Sequence, residues 1–240
     1  MPTPNFLDNM TYNAWPIGKV PKEYQRNELD KLKDCGYKFN DAREVVGIFE
    51  NKIAEYAGSK FAVTVDSCTN ALFLCLKYLN ASGEIIIPRR TWLSVGLSIM
   101  HAGCKVKFDD IKWRGIYQLK PYPIYDSAVR FTKGMFVPGF YQCLSFQIKK
   151  RLPIGKGGMI LTDDKDAADW FRCASFEGRH MNIPYNEDNI SFAGWNMYMT
   201  PEDAARGLLI FDRLPVVNDD SCCQDDYVDI SRNEVFRESR

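Results

Sequence analysis

Apolar and polar positions along the chain follow two periods, one typical of helices and one typical of strands. Apolar residues recur at helical spacing from Val45 to Tyr56, behind an Asn-Asp pair and ahead of Gly58, which predicts an amphipathic helix of about four turns. Short β-branched or apolar runs predict strands, and strongly apolar stretches between them predict buried helices. Strands are predicted over 61–65, 84–87, 104–108, 122–125, 143–146 and 159–162, and further helices over 23–33, 71–79, 92–101, 164–176 and 200–213.

The alternation of these elements indicates the fold class. Strands that alternate with helices are typical of a mainly parallel sheet with helices on both faces, so we predict an α/β three-layer sandwich. Composition divides the chain further. We predict an N-terminal surface arm over 1–40, a large domain over 41–215 and a short acidic C-terminal tail over 216–240.

Polar segments stand where three of the predicted strands end. Residues 67–70 follow one strand, Asp126 ends another, and a lysine-containing loop before Gly158 follows a third. Ligands of such sheets bind beyond the carboxyl ends of the strands. We therefore expect the three segments to line one crevice.

Composition narrows the classes of partner. The 240 residues are 45% hydrophobic, and 31 basic residues balance 31 acidic ones, so the chain lacks the charge excess that favours nucleic acid or an anionic membrane. Eight cysteines without a C-x-x-C pair suit free thiols in a reducing cytoplasm, and we expect no metal site. No signal-peptide pattern and no apolar run of roughly 18 residues is present. We expect a cytoplasmic protein with a small-molecule or protein partner.

Each candidate segment has an ordinary interpretation beside the chemical one. Residues 67–69 offer amides, hydroxyls and a helix N-terminus to a phosphate group, but Ser and Thr at helix starts are usually only caps. The loop with Lys149 and Lys150 holds either a reactive amine or solvated basic side chains. Asp126 and Trp92 are equally open to a structural role.

Taken together and in order, five segments resemble the DegT/DnrJ/EryC1/StrS family of sugar aminotransferases, fold-type I enzymes that use pyridoxal 5′-phosphate. The resemblance covers about 45–214 and implies a fold-type I large domain with the C-terminal small domain largely absent. The spacing from Ser145 selects Lys150 over Lys149. The segments that carry the resemblance are 67–72, 87–92, 125–128, Ser145-x-x-x-x-Lys150 with Gly155-x-Gly157-Gly158 behind it, and Gly194-x-Asn196.

The resemblance implies a role for each matched residue. Lys150 would bind the cofactor covalently and move a proton, and Asp126 would keep the pyridine nitrogen protonated; these are the two implied catalytic residues. Trp92 would stack on the cofactor ring. The implied cofactor-binding residues are Cys68, Thr69, Trp92, Asp126, Ser145, Lys150 and, from a second subunit, Asn196.

The activity implied by the resemblance is the transfer of an amino group, with glutamate as the expected donor, to a keto sugar carried on a nucleotide. The implied assembly is a homodimer with shared active sites. Val129, Lys156 and Tyr198 depart from the family pattern, in which His or Gln, an acid and Arg are usual. The alternative is a protein of the same fold that acts as a binding or partner subunit without transaminase activity.

Overall fold

Within residues 21–181 and 183–237, which the computed structural model describes, helices and strands follow one another in the predicted order. The helices are α1 Glu28–Asp34, α2 Glu44–Ala57, α3 Cys68–Tyr78, α4 Leu93–His101, α5 Lys165–Ser175 and α6 Pro201–Phe211. The strands are β1 Phe61–Val65, β2 Glu84–Pro88, β3 Lys105–Asp109, β4 Tyr117–Gln118, β5 Ile124–Asp126, β6 Tyr141–Ser145 and β7 Gly158–Thr162.

Five strands form one sheet in the order β1-β7-β6-β5-β4, and β2 pairs with β3 in parallel. Strands β5 and β6 are also parallel, whereas β7 runs antiparallel between β1 and β6. The pairing is therefore more mixed than we expected. The reason is that β6 and β7 are joined by a loop without a helix, and such a connection places neighbouring strands antiparallel.

Both faces of the sheet are covered, as the sandwich prediction requires. Along β1, Ala62 packs into the core beneath α2 and α6, whereas Val63 and Val65 pack into the core beneath α3 and α5. This alternation follows from the period of two of a strand. The α/β fold is confirmed. The two hydrophobic cores, one on each face of the sheet, fix the positions of the strand ends.

The described part of the predicted N-terminal arm is packed against the domain. Leu32 of α1 is fully buried, and Arg26 forms an ion pair of 2.9 Å with Asp203 at the start of α6. This part of the chain is therefore not the surface arm that we predicted, because α1 has an apolar side that α6 covers. Residues 1–20 of the predicted arm lie outside the described residues.

Residues 216–236 of the predicted acidic tail, which we call the strap, pack against the domain. Ile230 and Phe236 are buried, and the Phe236 ring lies 5.1 Å from that of Phe108. At the other end the Tyr56 hydroxyl donates to the Val216 carbonyl at 2.8 Å. The aspartates suggested a tail, but the apolar residues between them anchor the segment. Residues 238–240 lie outside the described residues.

Helix length bears on membrane insertion. Among the described residues, none of the helices is both long and apolar enough to cross a bilayer.

Candidate active site

One cavity of about 470 Å³ lies where the predicted polar segments meet. The end of β1, the end of β5 and the loop after β6 all contribute to its wall, as expected for the carboxyl ends of strands. Six of the seven residues singled out from the sequence line this cavity: Cys68, Thr69, Trp92, Asp126, Ser145 and Lys150.

The turn between β1 and α3 presents a helix N-terminus to the cavity. Ser67 is the N-cap of α3 in an extended conformation, and its Oγ accepts a hydrogen bond from the Asn70 amide at 3.2 Å. Thr69 Oγ1 and Ser94 Oγ share a hydrogen bond of 2.7 Å. Amides and hydroxyls at the positive end of a helix form a site for an anion such as a phosphate group.

Gly158 allows β7 to lie directly against this turn. A Cβ atom at Gly158 would stand 2.4 Å from the Ser67 carbonyl carbon and 2.5 Å from the Cys68 amide nitrogen. No side chain fits that space. Gly158, the last glycine of the Gly-x-Gly-Gly segment, therefore allows the turn and the loop after β6 to meet at one cavity.

Asp126 is a buried carboxylate with two hydrogen bonds. Oδ1 accepts from the Ala128 amide at 2.8 Å, and Oδ2 accepts from the Tyr117 hydroxyl at 2.6 Å. Tyr117 also shares a hydrogen bond with the Thr91 hydroxyl. Burial raises the pKa of Asp126, and the Tyr117 bond, the Ala128 amide and the charge of Lys150 oppose that rise. These three groups stabilise the ionised carboxylate inside the protein.

Residues 146–157, which we call the lysine loop, connect β6 to β7 and are closed by their own backbone. The Phe146 amide donates to the Gly157 carbonyl at 2.9 Å, and the Lys150 amide donates to the Gln147 carbonyl at 2.8 Å. Lys150 is half-buried, whereas Lys149 is exposed. Lys150 lines the same cavity as Asp126 and Cys68.

Trp92 and Asn196 lie at different places relative to the cavity. Trp92 precedes α4 as its N-cap, and its ring is 66% exposed while it lines the cavity. Asn196 is exposed, its Nδ2 donates to Glu177 Oε1 at 2.8 Å, and it is not among the residues that line this cavity. The structure of one chain therefore does not bring Asn196 to the other candidate residues.

The three departures from the family pattern have partners within the chain. Lys156 forms an ion pair of 3.3 Å with Asp66, next to the turn. The Val129 carbonyl accepts hydrogen bonds from the strap, and the Tyr198 ring packs on Phe176 at 5.2 Å. Val129 and Lys156 line the cavity, and Tyr198 does not.

Sequence reasoning missed part of the cavity wall. Tyr117 supports Asp126 but lies outside every motif, and Thr91 lies in the 87–92 segment but was given no role. The strap also lines the cavity, although its acidic composition predicted only a tail. The lining residues outside the segments singled out include Trp113, Tyr117, Cys222, Asp226 and Tyr227. Within the described residues, no group of three or more His, Cys, Asp or Glu side chains is placed to hold a metal ion.

Comparison with known proteins identifies a family. The sequence model of the DegT/DnrJ/EryC1/StrS aminotransferase family matches residues 25–138 and 137–220. The spore coat polysaccharide biosynthesis protein SpsC of Bacillus subtilis is 28% identical over 195 residues, which are 62% of this chain and 47% of SpsC. GDP-perosamine synthase of Escherichia coli O157:H7 is 29% identical over 206 residues, 67% of this chain and 55% of that protein. The chain thus spans about half the length of these curated relatives.

Solved structures show the same fold. AtS13 from Actinomadura melliaura superposes with a TM-score of 0.65 at 19% identity, over 82% of this chain and 67% of AtS13. DesI, solved in the presence of its TDP-sugar product, gives a TM-score of 0.59 at 20% identity, over 82% of this chain and 59% of DesI. The described architecture is therefore the fold-type I architecture of pyridoxal phosphate enzymes.

Proposed function

This chain belongs to the DegT/DnrJ/EryC1/StrS aminotransferase family, and we propose that it binds pyridoxal 5′-phosphate at Lys150 and transfers an amino group to a keto sugar carried on a nucleotide. The observation that supports this most is the meeting of Lys150, the buried Asp126 and the N-terminus of α3 in one cavity. An amine, a carboxylate and an anion site in one cavity match the aldehyde, the pyridine nitrogen and the phosphate group of that cofactor.

The residues present fit the cofactor in chemical terms. Asp126, buried and held by two hydrogen bonds, suits a protonated pyridine nitrogen. The N-terminus of α3, where Cys68 and Thr69 line the cavity, suits a phosphate group. When bound, pyridoxal phosphate acts as an electron sink for negative charge on the substrate carbon that carries the amino group.

The chain's own residues then have distinct tasks. Lys150 would hold the cofactor covalently and carry a proton at Nζ during amino transfer. Asp126 would supply a fixed negative charge in a site of low dielectric, where that charge acts strongly. Tyr117 and the Ala128 amide would keep the carboxylate oriented. Trp92 would cover the ring, because its exposed face lines the cavity.

The substrate class is proposed from the relatives. One of them is named for a GDP-linked sugar, and one structural neighbour was solved with a TDP-sugar. We propose a nucleotide sugar as acceptor and glutamate as donor, in the cytoplasm. Lys149 and Lys156 add positive charge to the cavity wall, which suits the phosphates of such a substrate.

The test of cofactor attachment compares two neighbouring lysines. Lys150→Ala is expected to abolish the visible absorbance of the lysine-bound cofactor and the adduct trapped by borohydride, whereas the control Lys149→Ala is expected to keep both. Peptide mass mapping then locates the adduct. An adduct on Lys149, or none in the wild-type protein, contradicts the proposal.

The test of activity is the half-reaction with glutamate. A change in the absorbance of the bound cofactor on addition of glutamate supports aminotransfer, and no change with any amino acid contradicts it. The alternative, a partner subunit without transaminase activity, is suggested by Val129, because the family usually has a polar side chain at this position. This alternative predicts that activity is seen only after a second family member is added.

We also propose a homodimer in which Asn196 serves the neighbouring subunit's cofactor. The support is its exposed position outside its own cavity, on the segment that leads into α6. Asn196→Ala is expected to weaken cofactor retention without changing the mass in sedimentation, and Asn186→Ala, an exposed residue of the preceding loop, is the control. A stable monomer that holds its full complement of cofactor contradicts the arrangement.

A further inference from the structure

The strap forms part of the cavity wall. Four of its residues line the cavity together with the candidate catalytic groups: Ser221, Cys222, Asp226 and Tyr227. The family motifs account for the other side of the cavity, and none of them includes these residues. The strap therefore needs an explanation of its own.

Ion pairs and hydrogen bonds fix the strap beside the lysine loop. Arg130 donates to both carboxylate oxygens of Asp220 at 2.8 Å, and Arg151 of the lysine loop donates to the Asp219 carbonyl at 2.9 Å. The Ser221 amide donates to the Val129 carbonyl at 3.0 Å. Two arginines thus hold neighbouring residues of the strap, Arg130 through the Asp220 side chain and Arg151 through the Asp219 backbone.

The next part of the strap pairs with the connection between β3 and β4. The Gly115 amide donates to the Cys222 carbonyl at 3.1 Å, and the Trp113 amide donates to Gln224 Oε1 at 3.0 Å. A Cβ atom at Gly115 would stand 2.2 Å from the Asp220 carboxyl group, so the strap is seated closely. These contacts fix the strap as part of the cavity wall.

The face that the strap turns to the cavity has a definite chemistry. The Tyr227 ring packs on Trp113 at 5.5 Å, and burial together with the neighbouring Cys222 thiol raises the pKa of Tyr227, so that its hydroxyl stays protonated. Asp226 Oδ2 accepts from the Cys223 amide at 2.8 Å, and within the described residues Oδ1 has no hydrogen-bond partner. The wall thus offers an aromatic surface, a donor and a free carboxylate oxygen.

This combination suits the sugar ring of a nucleotide sugar and not its phosphates. A carboxylate accepts hydrogen bonds from sugar hydroxyls, and an aromatic face packs on the C–H groups of a ring, whereas a negative charge repels a phosphate. The lysines of the cavity wall, Lys149 and Lys156, are the positive groups that phosphates would seek.

We propose that the strap is the sugar-binding wall of this site, in which Asp226 accepts hydrogen bonds from sugar hydroxyls and Tyr227 donates one. This inference rests on the proposed function, because it concerns the acceptor substrate of the same cavity. Asp226 and Tyr227 then determine which sugar is bound, and the motif residues act on the cofactor.

Thiol protection tests the position of the sugar without any turnover. Cys222 is half-buried in the cavity wall and Cys35 is exposed far from it in sequence, so alkylation by iodoacetamide can be followed at both by peptide mass mapping. A keto sugar carried on TDP or GDP is expected to slow alkylation of Cys222 at least about fivefold and to leave Cys35 unchanged. TDP or GDP alone is expected to protect Cys222 less.

Binding is measured in parallel by calorimetry, which separates two failures. If a nucleotide sugar binds and Cys222 is not protected, the strap proposal is overturned while the proposed function stands. If neither the cofactor nor any nucleotide sugar binds, both are overturned.

Two substitutions test the side chains themselves. Asp226→Asn keeps an oxygen for the Cys223 amide, and Tyr227→Phe keeps the ring on Trp113, so both variants are expected to fold. The loss of one hydrogen bond to the sugar is expected to raise KM for the nucleotide sugar about tenfold, with kcat and the glutamate half-reaction within about twofold of wild type. Val228→Ala, at a side chain that is 77% exposed in the same strap, is the matched control. A KM within twofold of wild type in both variants overturns the proposal, and so does an equal effect of the control.

Discussion

The two sides of the cavity are built by different means. On the cofactor side, the turn after β1, Asp126 and the lysine loop each follow a strand, and the sheet brings them together. On the strap side, the wall is held by arginines and by backbone hydrogen bonds to residues far away in the sequence. The cofactor side is a consequence of the sheet, whereas the strap side depends on contacts that no single segment encodes.

This difference between the two sides leads us to expect that substitutions can change the chemistry and the substrate affinity separately. Substitutions on the cofactor side should act on the chemistry, since its groups face one another across a buried space. Substitutions on the strap side should act on stability or on substrate affinity. The following variants test this division, from the largest expected effect to the smallest.

The largest effect is expected at the anchor of the strap. Phe236 is 4% exposed and lies against Gly96, where a Cβ atom would stand 2.6 Å from its ring. Phe236→Ala should lower the free energy of unfolding by about 3 kcal/mol, because it removes a buried ring and leaves a cavity. Denaturant titration measures this. The control is Val235→Ala, whose side chain is 42% exposed. Equal effects of the two variants would mean that the strap is not anchored at Phe236.

On the cofactor side, Asp126→Asn is expected to reduce turnover about a hundredfold while the protein stays folded. The amide keeps the shape of the carboxyl group and its bond from Ala128, but it removes the fixed negative charge. Steady-state kinetics and the glutamate half-reaction measure the change. Asp110→Asn, at an exposed position after β3, is the control. Wild-type turnover in Asp126→Asn would show that the negative charge at Asp126 is not essential.

A third variant tests the approach of β7 to the turn. Gly158→Ala should destabilise the protein by about 2 kcal/mol and weaken phosphate-dependent retention of the cofactor, because the added Cβ atom displaces the backbone at Ser67. Thermal unfolding and dialysis against cofactor-free buffer measure both effects. Gly47→Ala adds a methyl group in α2, where nothing lies within 4 Å, and should be neutral or stabilising. Retention equal to wild type in Gly158→Ala would refute the role of this contact.

The smallest effect concerns the ion pair that holds the strap. The hydrogen bond from Arg130 is the main cause that lowers the pKa of Asp220 below its usual value of about 3.9. The pair therefore stabilises the folded protein above that pH, and its contribution, about 1 kcal/mol for a partly exposed pair, is lost as the pH falls through the lowered pKa. Asp220→Asn should be less stable at neutral pH and should lose less on acidification below pH ~4 than the wild type.

Denaturant titrations at several pH values measure this difference. Asp219→Asn, in which only the backbone carbonyl contacts Arg151, serves as the control. Parallel stability curves for Asp220→Asn and the wild type would contradict the assignment.

The sequence predicted most strands and helices of the domain because each has a clear period and a clear end, whereas the two-residue strand β4 was not predicted. Strand β1 was predicted at its observed bounds, and α4 within one residue of them. The pairing of β7 was not predicted, since the order of strands in a sheet is not written in any local pattern. The expectation of a largely parallel sheet needed that correction.

The same limit applies to the site. Lys150, Asp126 and residues 67–69 stand in segments with a characteristic spacing, so the sequence could select them. Tyr117 supports Asp126 from a hairpin whose strands are short and carry no motif. Asp226 and Tyr227 lie in a segment that its acidic composition identified only as a tail. Composition describes the average environment of a segment, and here single apolar residues decided its position.

The sequence distance between contacting groups has a consequence for the order in which this cavity is assembled. The lysine loop is closed by neighbours within one hairpin, whereas the strap's bonds join residues 68, 90 and 111 positions apart. Closing a long loop lowers the chain entropy before stabilising contacts are made, so non-local contacts form slowly. We expect Lys150 and Asp126 to be in place while the strap side is still open, which leaves a route for the cofactor during folding. Pulsed hydrogen exchange that protects the Ser221 amide, which donates to the Val129 carbonyl, before the Phe146 amide would contradict this order, in which the wall that we propose for the sugar forms last.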